Sequence, residues 1–180
     1  ALVGRQAELA KLDAFWRQAR DGQSQVVLVC GEAGVGKSRL LNDAFDRART
    51  NDGERIRIIL QCAELQLNEA LHPIVGYIEY AAQFGASDSF EMRLDKLEAF
   101  FGPDYEGREV AIPLIARMMS VPLGDRYDEQ PLTPPEFRQK LFAFMCGWVR
   151  ARASACPMLI EFEDIHWSDA TTLEFIAMLA

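Results

Sequence analysis

The chain has 180 residues, 49% of them hydrophobic and 26% charged, a composition that suits one soluble globular domain with a buried core. A formal net charge of −8, without any cluster of Lys and Arg, argues against direct binding of nucleic acid. No apolar run reaches the roughly 20 residues of a membrane helix, and the first residues lack the basic start and apolar stretch of a signal peptide, so we expect none. We therefore expect a cytoplasmic protein that does not contact a membrane.

The first residue is not Met, so we expect this chain to be a piece of a longer protein. Its four cysteines (Cys30, Cys62, Cys146 and Cys156) are far apart and do not show the spacing of a metal site. This pattern is typical of reduced, mostly buried thiols.

The first third of the chain predicts an alternation of helices and strands. Arg5–Arg20 has apolar residues at helical spacing, and Gln25–Cys30 is a short apolar run typical of a strand buried on both faces of a parallel sheet. A glycine-rich loop at Gly31–Ser38 leads into a helix at Arg39–Thr50, and Ile56–Cys62 is a second strand. This order indicates an α/β fold with a parallel sheet.

The middle of the chain, from about residue 65 to 130, predicts a mainly helical segment. Three helices with apolar stripes are expected at Pro73–Phe84, Ser89–Phe101 and Glu109–Met119. An exposed loop should follow over residues 123–135.

The last part predicts a helix, a strand and a final helix. Thr133 can cap a long helix that runs to about Ala153, with Glu136 closing a capping box. Met158–Phe162 is a third strand, and either Ser168 or Asp169 should cap a helix that ends at Leu179.

The glycine-rich loop fits the phosphate-binding pattern G-x-x-x-x-G-K-[ST] at every fixed position. Its glycines allow the backbone N–H groups to surround phosphates, and the following helix points its positive end at the same anion. Lys37 should reach the β- and γ-phosphates, as a catalytic as well as a binding residue, and Ser38 should bind Mg²⁺. The predicted ATP contacts are Gly31, Glu32, Ala33, Gly34, Val35, Gly36, Lys37, Ser38 and Arg39.

A second acidic site follows the third strand, in a segment that resembles a Walker B motif. Mg²⁺ binds carboxylate oxygens, and hydrolysis needs a carboxylate that orients a water. We predict that Glu163 binds the metal and that Asp164 activates the water near the same ion. The reverse, with Asp164 on the metal and Glu163 on the water, stays open. Glu161 lies inside the strand, where a carboxylate needs a partner, and Glu163 stands where Asp is more usual.

With these motifs, the chain resembles a STAND-type P-loop ATPase module of the AAA+ class. Such modules occur beside class III nucleotidyl cyclase domains and in LuxR-type bacterial regulators. The resemblance covers nearly the whole chain and depends on Leu2–Leu9, Gly31–Ser38 and Phe162–Asp169, with a further match at Leu132–Pro135.

The resemblance implies a three-layer α/β/α P-loop NTPase sandwich with a parallel sheet. It places Val3, Gly4 and Arg5 against the adenine and ribose. It also implies a strand, later in the sequence, between the P-loop strand and the Walker B strand. Residues 1–180 would then be the N-terminal part of the domain, with a helical insertion at about 65–130, and we expect the isolated piece to be poorly stable and inactive.

The function that the resemblance implies is an ATP- and Mg²⁺-dependent regulatory switch with slow hydrolysis, within a larger bacterial signalling or transcription-regulating protein. The expected partners are ATP or ADP, the rest of the ATPase domain, fused effector or sensor domains, and further copies in a nucleotide-dependent oligomer. Two alternatives stay open: a small-molecule kinase of the P-loop class and a scaffold that binds nucleotide without hydrolysis. His166 either senses the γ-phosphate or packs its loop against the core.

Overall fold

Helices dominate the structure, a computed structural model that describes residues 4–52, 55–67, 69–102, 107–129 and 131–180. Within these residues there are two strands, β1 (Ile56–Gln61) and β2 (Met158–Glu163), and two short 3₁₀ turns, Glu64–Gln66 and Ile165–Trp167. The α-helices are α1 (Gln6–Arg20), α2 (Lys37–Asp52), α3 (His72–Ala81), α4 (Phe90–Phe101), α5 (Arg108–Met118), α6 (Pro134–Ala155) and α7 (Ala170–Leu179). None of the helices in these ranges is long and apolar enough to cross a membrane.

The chain divides into two compact units. The first comprises the chain up to Arg57 together with Arg152–Leu159, and the second comprises Ile58–Ala151 and Ile160–Leu179. The first unit therefore contains the glycine-rich loop, and the second contains the helical segment and the acidic residues after β2.

In the first unit, α1 packs against α2. The ring of Phe45 on α2 meets Trp16 of α1 edge to face, with 6.5 Å between the ring centroids. The guanidinium of Arg55 lies 3.8 Å from the centre of the Phe45 ring. Leu9, Leu40 and Ala48 are the buried aliphatic side chains of the two helices, so the apolar faces predicted from the sequence do meet in this core.

The predicted strand at Gln25–Cys30 is absent from the structure. These residues form no strand, and the side chains of Val26 and Leu28 are 69% and 73% exposed, where burial on both faces was expected. An apolar, β-branched run becomes a strand only when a neighbouring strand accepts its hydrogen bonds. The described sheet contains only β1 and β2, so this segment has no strand beside it.

Strands β1 and β2 lie side by side and run parallel. The amide of Ile56 donates to the carbonyl of Pro157 at 2.9 Å, and six positions further along both strands the amide of Cys62 donates to the carbonyl of Glu163 at 3.0 Å. A constant offset with both numbers rising defines a parallel register. The helix-rich structure with this parallel pair is compatible with part of an α/β P-loop domain.

The second unit contains the larger apolar core. The large apolar side chains that are less than 2% exposed all come from α4, α5 and α6, namely Leu97, Ile112, Ile115, Leu141 and Phe142. The predicted helices of the middle segment are therefore confirmed to within one to three residues at each end.

Side-chain hydrogen bonds cap the starts of α4, α6 and α7. Ser89 Oγ accepts from the amide of Met92 at 3.2 Å. Glu136 reaches back to the amide of Thr133 at 2.9 Å, which is the reciprocal half of the predicted capping box. Of the two predicted caps for α7, it is Asp169 that accepts from the helix amides.

Candidate nucleotide site

The phosphate loop, Gly31–Ser38, depends on left-handed backbone at two glycines. Gly34 has φ +77° and Gly36 has φ +91°, and residues with a Cβ avoid this region. Gly36 is a fixed position of the motif, whereas Gly34 is not, so its role is visible only in the structure. A Cβ at Gly31 would lie 2.9 Å from Val35 Cγ1, so the exposed Val35 side chain would have to shift to accommodate it.

The side chain of Lys37 folds across this loop. Its Nζ donates to the carbonyl of Gly31 at 2.9 Å and to the carbonyl of Glu32 at 3.1 Å. The loop is thus closed by its own cation, whose charge stays at the loop surface. Ala33 and Val35 are exposed beside it, as a surface that receives a ligand requires.

Helix α2 begins at Lys37, at the end of the loop. The first intrahelical bond runs from the amide of Leu40 to the carbonyl of Gly36 at 3.0 Å. The amides of the first turn, including those of Ser38 and Arg39, have no carbonyl inside the helix to bond. Both side chains are exposed. A helix start of this kind attracts anions because its amides and its dipole point the same way.

The predicted adenine-contact residues are only partly described. Val3 lies outside the described residues. Gly4 has φ +80°, and Arg5 starts α1 with its Nη1 bonded to Glu8 Oε1 at 2.9 Å. This bond lowers the pKa of Glu8. Both residues belong to the same unit as the phosphate loop, and their contact with the base stays a prediction.

The acid turn, which we define as Glu163–Asp169, follows the end of β2. Asp164 has φ +52°, and its side chain is exposed. Asp164 Oδ2 accepts a hydrogen bond from Gln61 Nε2 at 3.0 Å. Glu163, the predicted metal ligand, is half-buried. Glu161, within β2, is only 7% exposed, as its position inside the strand suggested.

The remaining side chains of the acid turn divide into exposed and anchored groups. His166 is exposed and its ring lies 4.9 Å from that of Trp167. Ser168 Oγ is 3.5 Å from Cys62 Sγ, and burial raises the pKa of this thiol. Sensing by His166 and packing by His166 both stay open.

Gln61 is the residue that sequence reasoning missed. It is 103 positions away from Asp164 along the chain, at the last position of β1. The carboxyl ends of adjacent parallel strands meet at one sheet edge, and there polar groups gather. A polar residue ending the strand before the Walker B strand was the signal that could have identified it.

The donor set has the chemistry that Mg²⁺ requires. In the described ranges, no cluster of three or more His, Cys, Asp or Glu side chains could hold a metal ion by itself. Mg²⁺ is usually held by one or two carboxylates, with phosphate oxygens and waters as the other ligands. The carboxylates of Glu163 and Asp164 and the hydroxyl of Ser38 are oxygen ligands of the kind that Mg²⁺ takes.

A comparison with known families identifies the chain. The family model described as the AAA ATPase domain matches residues 1–180. The chain belongs to the AAA ATPase domain family. This membership indicates a nucleotide-binding ATPase domain, and such domains generally use ATP with Mg²⁺.

The AAA ATPase domain is also similar to an uncharacterised protein of Rhizobium meliloti (strain 1021), with 26% identity over 181 residues. The match covers 99% of this chain and 17% of that protein, so the chain spans about a sixth of its relative's length. No solved structure matches the chain.

Proposed function

We propose that this AAA ATPase domain is the ATP-binding part of a STAND-type regulatory switch, in which slow hydrolysis of ATP resets a larger protein. Bound ATP with Mg²⁺ favours one arrangement of that protein and ADP another, because only ATP supplies contacts through a γ-phosphate. The observation that carries the proposal is the phosphate loop, with left-handed Gly34 and Gly36 and with Lys37 closing it at the start of α2. Residues 1–180 are the N-terminal part of the domain, with the rest of a three-layer α/β/α sandwich supplied by the longer protein.

Each predicted site residue has a role in this proposal. The loop amides and Lys37 bind the phosphates, Gly4 and Arg5 contact the base, and Ser38 and Glu163 hold the metal. Mg²⁺, when bound, neutralises charge on the β- and γ-phosphate oxygens. Asp164 orients a water and accepts its proton, which is a task for an exposed carboxylate that a neighbour holds in one orientation.

Slow turnover is proposed on account of Glu163 rather than of Asp164. Gln61 donates to one oxygen of Asp164 and leaves the other oxygen as the acceptor for water. Glu163 adds one methylene to the Asp that is more usual at this position, and this makes its carboxylate less fixed. A less fixed ligand holds Mg²⁺ less firmly, and hydrolysis is slower for that reason.

Binding is tested with Lys37→Ala in the full-length protein. We expect ATP affinity to fall about ten- to a hundredfold, the range for loss of a charge-assisted hydrogen bond. Lys11→Ala, which removes an exposed Lys of α1, is the matched control and should leave affinity unchanged. An affinity that is equal in Lys37→Ala and wild type would refute the proposed site.

Hydrolysis is tested by single-turnover release of phosphate. We expect Asp164→Asn to lower the rate about a hundredfold or more while ATP affinity stays within about twofold. Glu163→Gln should instead raise the Mg²⁺ concentration needed for binding, and an exchange of these two results would assign the acids in the reverse order. Tight ATP binding without phosphate release by the wild type would favour the scaffold, and transfer to an added acceptor would favour the kinase.

A further inference from the structure

Hydrogen bonds join the acid turn to the segment that follows β1. We call residues 61–71, without residue 68, the strand-exit segment, and it leads directly into α3. Three side-chain bonds join it to the acid turn: Gln61 with Asp164 at 3.0 Å, Cys62 with Ser168 at 3.5 Å, and Leu71 with Asp169 at 3.2 Å. The turn is thus held at its beginning and at its end.

Asp169, which is only 9% exposed as a residue, makes the last of these bonds with its carboxylate. One oxygen accepts from the amides of Thr171 and Thr172, at 2.8 and 3.0 Å, and so caps α7. The other oxygen accepts from the amide of Leu71 and from the hydroxyl of Thr172. Four donors therefore converge on one buried carboxylate, more than the cap alone requires.

Leu71 is an unusual residue to be held in this way. It has φ +60°, in the left-handed region that a leucine rarely adopts, and its side chain is 3% exposed. Its carbonyl accepts from the amides of Ile74 and Val75, which form the first turn of α3. A strained backbone of this kind persists only where its surroundings fix it, and Asp169 bonds the one amide that precedes the helix.

We propose that Asp169 is a positioning residue for hydrolysis, which holds the acid turn in place for Asp164 and joins it to the start of α3. The proposal rests on the proposed function, because it concerns the same reaction. Asp169 touches neither nucleotide nor water in this role. It acts through the turn, five residues after Asp164, and through Leu71, so that a movement of the acid turn displaces the first helix of the helical segment.

Asp169→Asn separates this role from that of a helix cap. Asn is a good cap, and its single oxygen can still accept from Thr171 and Thr172. Its NH₂ group takes the place of the second oxygen and cannot accept from the amide of Leu71. Asp125→Asn, at an exposed position of the same unit, is the matched control for the lost charge.

In the full-length protein, we expect Asp169→Asn to keep ATP affinity within about twofold. Single-turnover phosphate release should slow about tenfold or more, because a displaced catalytic group lowers the rate by such factors. Amide hydrogen exchange in the peptide around Leu71–Val75 should become faster in this variant and stay unchanged in Asp125→Asn. An equal loss of affinity and rate would indicate a merely structural role and overturn the proposal. A normal rate despite faster exchange would overturn it as well.

The same experiment separates this proposal from the proposed function. If the wild type binds ATP and releases no phosphate, the hydrolytic function is wrong, and the exchange comparison decides whether the anchor exists. Unchanged exchange around Leu71 in Asp169→Asn would then overturn the anchor independently of any hydrolysis.

Discussion

The phosphate loop takes its shape from bonds between residues at most six positions apart, whereas the acid turn is held by side chains 98 to 106 positions away. We therefore expect the shape of the loop to depend mainly on its own glycines and on Lys37. The acid turn needs β1, β2 and the start of α3 to be in place together. This difference implies that ATP binding tolerates loss of the long-range bonds at the acid turn, while hydrolysis is sensitive to it.

The most direct test of this difference between the two regions is a substitution that strains the backbone of the phosphate loop. Gly36 has φ +91° and open space around its Cα, so Gly36→Ala adds backbone strain of about 1–2 kcal/mol and no clash. We expect ATP affinity to fall about tenfold, since the amides around the phosphates shift. Equilibrium binding of ATP to the full-length protein is the measurement.

Gly22→Ala is the control for this variant. Gly22 has φ +84° and equally open space, in the same unit but at the end of α1. It should lower stability by a similar amount and leave ATP affinity unchanged. Equal losses of affinity in the two variants would mean that ATP affinity does not depend specifically on the conformation of the phosphate loop.

An effect on rate rather than on affinity is expected from removal of the long-range hydrogen bond at the acid turn. Gln61→Leu removes the donor to Asp164 and keeps a side chain of similar length. A hydrogen bond to a charged group contributes about 1.5 kcal/mol or more, so we expect phosphate release to slow about tenfold with ATP affinity unchanged. Single-turnover kinetics with Gln139→Leu, at an exposed position of α6, as the control will check this. A fall in affinity without a change in rate would reverse the assignment of binding and hydrolysis to the two regions.

The same division between local and long-range contacts decides what the sequence could predict. Helix α4 with its Ser89 cap and the reach of Glu136 back to Thr133 follow from residues close together in the chain. The phosphate loop belongs to this group, because its motif is eight consecutive residues.

The contacts that were not predicted are those between distant residues. The bond from Gln61 to Asp164 and the bond from Leu71 to Asp169 depend on which strands and turns become neighbours, and no local pattern contains that information. The failed strand at Gln25–Cys30 has the same origin. Its composition favours a strand, but hydrogen bonding to a neighbouring strand decides whether one forms.

The smallest expected effect is a change in folding stability at acidic pH. It can be compared for one ion pair from each unit. A hydrogen bond from Lys96, assisted by the amide of Gly85, lowers the pKa of Asp88, and a hydrogen bond from Arg5 lowers the pKa of Glu8. A carboxyl whose pKa is lower in the folded state stabilises the fold above its unfolded pKa, which is about 3.9 for Asp and 4.3 for Glu. That contribution is lost as the pH falls through the lower, folded value.

We therefore expect Asp88→Asn to be less stable than the wild type at pH 7, with a difference that shrinks as the pH falls below about 4. Glu8→Gln should behave in the same direction with a smaller difference, because the Glu8 side chain is 42% exposed and that of Asp88 is 5% exposed. Urea unfolding midpoints of both variants at pH 7 and at lower pH are the measurement. A stability difference from the wild type that grows on acidification would contradict the assigned cause. A larger loss for Glu8→Gln than for Asp88→Asn would mean that the Arg5–Glu8 pair contributes more than the exposure of Glu8 indicates.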